Sequence, residues 1–204
     1  MARSFNVKQR GNNKRRQKAV YLIIAEGKNK TETYYLLNFQ DQDKAYTMRF
    51  AKAGNNTDAE SLYKTLVAKW EELGLSEQDG DKGYIVVDID NDEKKAQKVA
   101  KLIRDNSISS IRFIVSNPTF EIWFLMHFKY TTKHFKNGDA VIDDLQKYIP
   151  NYDKNVDCYP YCIDKTLVAI RNCEKLDAYH GEEQWPSVDC NPRTDVVDLI
   201  KELI

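Results

Sequence analysis

The chain has 204 residues, 42% of them hydrophobic and 30% charged, with a formal net charge of zero. That suits one core of ordinary size with an appendage, and it argues against both a disordered chain and a membrane protein. The longest apolar runs, such as residues 19–25 and 85–87, are too short to span a bilayer, and polar residues follow Met1-Ala2-Arg3, so a cytoplasmic protein is expected.

The balanced charge is unevenly distributed. Residues 1–18 carry Arg3, Lys8, Arg10, Lys14, Arg15, Arg16 and Lys18 and no acid. Such an arm has little to bury, so it is expected to stay flexible, and it can neutralise phosphates by counterion release or merely aid solubility. Next comes Ala-Val-Tyr-Leu-Ile-Ile-Ala, residues 19–25, which reads as a buried parallel strand ending at Glu26-Gly27. Residues 31–39 read as a short helix with Thr31 as its cap, residues 46–51 as a second strand, and residues 56–73 as an amphipathic helix stopped by Gly74. A third strand, residues 83–87, runs into Asp88-Ile89-Asp90-Asn91-Asp92; a helix carrying Ala96, Val99, Ala100 and Ile103 and a fourth strand, residues 111–115, follow. This alternation predicts an α/β fold with a mainly parallel sheet between layers of helices. Beyond Asn117-Pro118 the pattern turns mostly helical, at residues 119–128, 139–148, 163–176 and 194–203, with Asn191-Pro192-Arg193-Thr194 as the turn and cap of the last helix.

Ligands of open parallel sheets bind beyond the carboxyl ends of the strands, and here two strands end in acid. Glu26 follows the first and Asp88, Asp90 and Asp92 follow the third; if strand geometry persists, Asp88 and Asp90 share a side. Clustered carboxylates repel one another and lose hydration unless a cation offsets them, and Mg²⁺ or Mn²⁺ is the expected cofactor because hard ions take oxygen ligands and leave positions for water and phosphate. That chemistry suits phosphoryl transfer. Alone, Asp-x-Asp reads more simply as solvated loop acids, and Asp92 as a helix cap. Gly27 would let the chain turn sharply and a phosphate approach the backbone. Glu121, in the first turn of a helix at the same edge, is a candidate ligand or organiser, or simply an acid favoured by a helix N-terminus. Lys154 is a candidate to stabilise phosphate charge, against the default of a solvated lysine. His127 reads as packed or superficial, and Phe120, Trp123, Phe124 and Phe128 as core. The cysteines at 158, 162, 173 and 190 are expected to be reduced; with His180 they match no closed zinc pattern, so ordinary half-buried thiols are the preferred reading.

Together, Ile23-Ile24-Ala25-Glu26-Gly27, Thr31-Glu32-Thr33-Tyr34-Tyr35, Asp88-Ile89-Asp90, Ser116-Asn117-Pro118-Thr119-Phe120-Glu121-Ile122-Trp123 with His127-Phe128, and Asn191-Pro192-Arg193-Thr194 resemble the RloB-like family of abortive-infection and restriction loci, whose core looks related to the Toprim fold. The resemblance implies a Toprim-like core at residues 19–128, between the basic arm, residues 1–18, and a helical C-terminal extension, residues 129–204. It also implies metal ligation by Glu26, Asp88 and Asp90, one of which can double as general acid or base, and an ATPase as partner. Lys28-Asn29-Lys30 separate Glu-Gly from Thr-Glu more widely than the family pattern, which leaves the role of Glu32 open.

The expected activity is a metal-dependent endonuclease on DNA or RNA, a phage-defence effector with catalytic Glu26, Asp88, Asp90, Glu121 and Lys154. Its partners would be nucleic acid and an ATPase, with oligomerisation open and no membrane. The competing reading is a noncatalytic module that binds nucleic acid or an ATPase. A haloacid-dehalogenase phosphatase needs Asp-x-Asp after its first strand and a receiver domain an acidic pair there, whereas here that strand ends in Glu26.

Overall fold

The computed structural model describes residues 18–26, 31–54, 58–181 and 183–204. Apart from Lys18, the basic arm lies outside them, as do Gly27 and Lys28-Asn29-Lys30. Five strands form one sheet: β1 (Ala19–Ala25), β2 (Tyr46–Phe50), β3 (Lys82–Asp88), β4 (Ile111–Asn117) and β5 (Arg193–Thr194). Their spatial order is β2-β1-β3-β4-β5, the first four parallel and β5 antiparallel to β4. The helices are α1 (Thr31–Leu37), α2 (Ala59–Glu72), α3 (Glu93–Asp105), α4 (Glu121–Met126), α5 (Gly138–Leu145), α6 (Tyr159–Cys162), α7 (Thr166–His180) and α8 (Val196–Leu203). The fold is thus α/β and Toprim-like, a mostly parallel sheet between helices with a largely helical C-terminal part.

Alternation along the strands gives each face its own core. Leu22, Ile24, Ile85 and Val87 pack with Leu62, Leu66 and Trp70 of α2 and Ala96 and Val99 of α3. Ile23, Tyr84, Val86 and Ile114 face the other way, toward α1, α4 and the C-terminal helices. Gly83 allows the close approach on the α2 side, since a Cβ there would lie 2.8 Å from Ile111 Cγ1 and 3.0 Å from Leu66 Cδ2. Helix α4 is buried throughout, so it is anchored by the core rather than by propensity. Truncating Trp123 to Ala costs about 3–5 kcal/mol. No helix among the described residues is long and apolar enough to cross a membrane.

The structure corrects several local expectations. Arg193-Thr194 is a strand before it is a helix lead-in: Ser116 pairs with Thr194 and Asn117 with Arg193, and the Thr194 hydroxyl lies 2.8 Å from that of Ser116. Two residues carry no periodicity, so only the long-range pairing reveals the strand. Thr31 does not cap from outside; it is the first residue of α1, and its hydroxyl donates to the Lys154 carbonyl. The four thiols are fully buried rather than half-buried. Gly74 does stop α2, with a left-handed φ of 63°.

Candidate metal centre

Strand parity decides where the acids go. Asp88 follows Tyr84 and Val86 onto the face of α1 and α4 and is its strand's last residue. Strand geometry does not persist beyond it. Asp90 and Asn91 adopt left-handed φ values of 51° and 57°, which Asp and Asn tolerate better than most residues. The turn is held where Ile89 N donates to Ser116 O, Asp90 N to Pro118 O, and Asn91 N to Asn117 Oδ1. Asp90 therefore arrives by a turn, with its side chain half exposed beside Lys95.

Two groups of acids result. In the first, Lys95 Nζ lies 2.6 Å from Asp90 Oδ2 and 3.5 Å from Glu26 Oε1, while Glu26 Oε2 accepts from Asp88 N at 3.4 Å. Burial raises the Glu26 carboxyl above its usual range, with Lys95 opposing. Glu26, Asp88 and Lys95 line a cleft at the start of α2 and α3, with Asp58 and Lys98 on its rim. In the second group, Thr119 Oγ1 lies 3.0 Å from Asp88 Oδ2 and also within hydrogen-bonding distance of Glu121 Oε2. Tyr152 donates to Glu121 Oε1 at 3.0 Å, and Lys154 Nζ is 3.8 Å from the same oxygen. Glu32 stands nearby, its Oε2 buried with no hydrogen-bond partner among the described residues.

The second group is short of positive charge. Burial, then Glu121 and Glu32, push the Asp88 carboxyl well above its normal range. Burial, then Glu121, push Glu32 up to about 7. One threonine proton cannot serve two ionised carboxylates, so Asp88 and Glu121 together call for a shared proton or a bound cation. An oxygen-only donor set, an orphaned buried carboxylate oxygen and surplus negative charge fit a hard divalent ion in chemistry. No three of these carboxylates offer ligand atoms all within 4.8 Å of one another; among the described residues the one such group is His180, Glu183 and Cys190.

The sheet edge thus gathers Glu26, Asp88, Asp90, Glu121 and Lys154, each named from the sequence, and splits them. Glu32 joins the Asp88 group. Asp92 is the N-cap of α3, its carboxylate accepting from Lys94 N and Lys95 N. His127 is packed, with Nδ1 2.9 Å from Trp123 O and its pKa lowered by burial to about 4. Sequence reasoning missed Thr119, Tyr152 and Lys95. Thr119 sits inside the motif that carried the resemblance, whereas Tyr152 and Lys95 carry no local signal.

Over residues 21–203 the chain matches the family model described as RloB-like protein. The chain belongs to the RloB-like family. Nothing matches it among curated proteins or solved structures. The matched span of this RloB-like chain takes in both groups of acids.

Proposed function

We propose that the chain is a metal-dependent endonuclease that cuts DNA or RNA phosphodiesters as an effector in phage defence. The observation that carries this reading is the buried, under-neutralised set of Asp88, Glu121 and Glu32 around the Thr119 hydroxyl, at the carboxyl ends of parallel strands. Mg²⁺ or Mn²⁺ held by Asp88, Asp90 and Glu26, with Glu121 alongside, would polarise a phosphate and lower the pKa of a bound water.

The chain's own residues supply the rest. Lys154, whose charged form Glu121 and Asp88 support against burial, offers an ammonium to charge developing on phosphate. Glu32, near neutrality in its proton affinity, suits transfer of a proton to or from the reacting oxygens. Tyr152 and Thr119 fix the Glu121 carboxylate. The charge of the basic arm favours a polyanionic substrate, and the family resemblance implies an ATPase as partner.

One observation favours the noncatalytic binding reading: Lys95 already bridges Glu26 and Asp90, as a cation would. Incubation of the full chain, with and without a co-purified ATPase, with DNA, total RNA and tRNA at fixed Mg²⁺ and salt separates the two. Cleavage lost in Glu26→Gln and Asp88→Asn supports the nuclease. Partner or nucleic-acid binding that is unchanged in those variants, without cleavage, supports the module.

A further inference from the structure

We infer a second metal site of different chemistry, a Zn²⁺ site formed by His180, Glu183 and Cys190, where the end of α7 meets the loop leading to β5. A His180 ring nitrogen, a Glu183 carboxylate oxygen and Cys190 Sγ all lie within 4.8 Å of one another, and His180 and Cys190 are buried. Cys190 Sγ is 3.6 Å from Glu183 Oε2. A sulfur about 2.3 Å and an oxygen about 2.1 Å from a tetrahedral zinc are themselves about 3.6 Å apart. The pair therefore stands at ligand spacing before any ion is added.

His180 has one ring nitrogen held by the backbone, which leaves the other for a metal. Its Nε2 lies 2.9 Å from the Pro192 carbonyl oxygen, which can only accept. A neutral imidazole thus keeps its proton on Nε2 and its lone pair on Nδ1, and a carbonyl partner of this kind fixes the ring in metal-binding histidines. Burial raises the Cys190 thiol, and Arg193, with Nη1 3.9 Å from Cys190 Sγ, opposes that shift in favour of the thiolate that zinc requires; Asp177 at 3.1 Å partly balances the arginine charge. Binding releases the thiol proton and forms the Zn–S bond with no change in oxidation state. Three protein ligands of mixed nitrogen, oxygen and sulfur type leave the fourth position to water, and they select a borderline ion over Mg²⁺.

The site also reaches the acidic edge. Cys190 O accepts from Asn117 Nδ2 at 3.1 Å, and Asn117 Oδ1 accepts from Asn91 N, next to Asp90. Zinc at Cys190 would brace the loop that holds this turn.

The test uses the full chain purified without chelator or metal-affinity tag. About one zinc per chain is expected by elemental analysis, and Co²⁺ added after zinc removal should give a thiolate-to-cobalt charge-transfer band. Cys190→Ala and His180→Gln should abolish both, while Cys162→Ala and Asp88→Asn keep both. Glu183 is exposed, so Glu183→Gln retains the fold and should weaken zinc binding by about 10-fold or more, even if the buried variants fail to fold. Absence of zinc and of the band in the native chain overturns the site, leaving a thiol that donates to Glu183. So does a band that survives in Cys190→Ala, or a zinc affinity that is unchanged in Glu183→Gln.

Discussion

The two ends of the same sheet treat their charges in opposite ways. At the end where β3 and β4 begin, Glu202 of α8 meets Lys82, Arg112 and the Tyr84 hydroxyl, and these hold its carboxyl below the usual range despite burial. Asp81 beside it accepts from Val20 N and Ser76 N. At the end where the strands finish, Glu26, Glu32, Asp88, Asp90 and Glu121 share Lys95 and Lys154, and burial raises Glu26, Glu32 and Asp88. Charges that are satisfied within the chain serve the fold. Charges left in want of a cation cost stability, and a bound cation of the kind proposed would offset that cost.

The comparison breaks most sharply at Asp88. Asp88→Asn should reduce Mg²⁺-dependent cleavage on the order of a hundredfold to a thousandfold. The same change should leave the melting temperature of the metal-free protein unchanged or higher, because the amide is neutral where a carboxylate is disfavoured. A large loss of stability together with the loss of cleavage would make Asp88 a structural acid like Glu202. A smaller effect is expected at Thr119, which touches both carboxylates. Thr119→Val keeps the shape and removes the hydroxyl, and should lower cleavage or Mg²⁺ affinity by about 10- to 100-fold, whereas Thr119→Ser should restore most of it.

At the other end the signs reverse. Glu202→Gln should leave cleavage intact and destabilise the fold by about 1–3 kcal/mol, because the buried Tyr84 hydroxyl loses its charged acceptor and Lys82 and Arg112 their counter-charge. Urea denaturation alongside a cleavage assay measures both quantities. Lost cleavage at unchanged stability would dissolve the contrast.

How much of this was legible in the sequence follows from how local each signal is. The four parallel strands and helices α2 and α3 announce themselves through apolar runs and helical periodicity, and Glu26 and Asp88 are legible because they end those runs. The path of Asp90 was not legible. Period-two alternation assumes a strand that continues, while bonds from Ile89 N to Ser116 O and from Asp90 N to Pro118 O carry Asp90 into a turn, with its carboxylate on Lys95. Strand β5 is set by its partner rather than by its own pattern. Lys95 and Tyr152 reach the site from α3 and from the segment after α5, contacts that only the tertiary fold creates. Thr119 was within the motif, but its position between two carboxylates requires the first turn of α4 to lie against the end of β3.

The least disruptive test of the contrast uses pH. Glu32 has a folded pKa of about 7 and Asp88 is raised as well, so the folded chain binds more protons than the unfolded chain between about pH 4 and these values. Their contribution to stability is fully present below the unfolded pKa and is lost as pH rises through the folded one. A bound divalent ion offsets the loss where the carboxylates are ionised and competes with protons where they are not. At about ten times its dissociation constant, such an ion contributes roughly 1.4 kcal/mol, about 3–6 °C in melting temperature. Mg²⁺ should therefore raise the melting temperature at about pH 8 and have almost no effect near pH 5, and Asp88→Asn should flatten that difference. Glu202→Gln should leave it unchanged, because the carboxyl it removes is already neutralised by Lys82 and Arg112 at the far end of the sheet. A Mg²⁺ effect that is equal at both pH values would mean that the ion binds somewhere other than these buried acids.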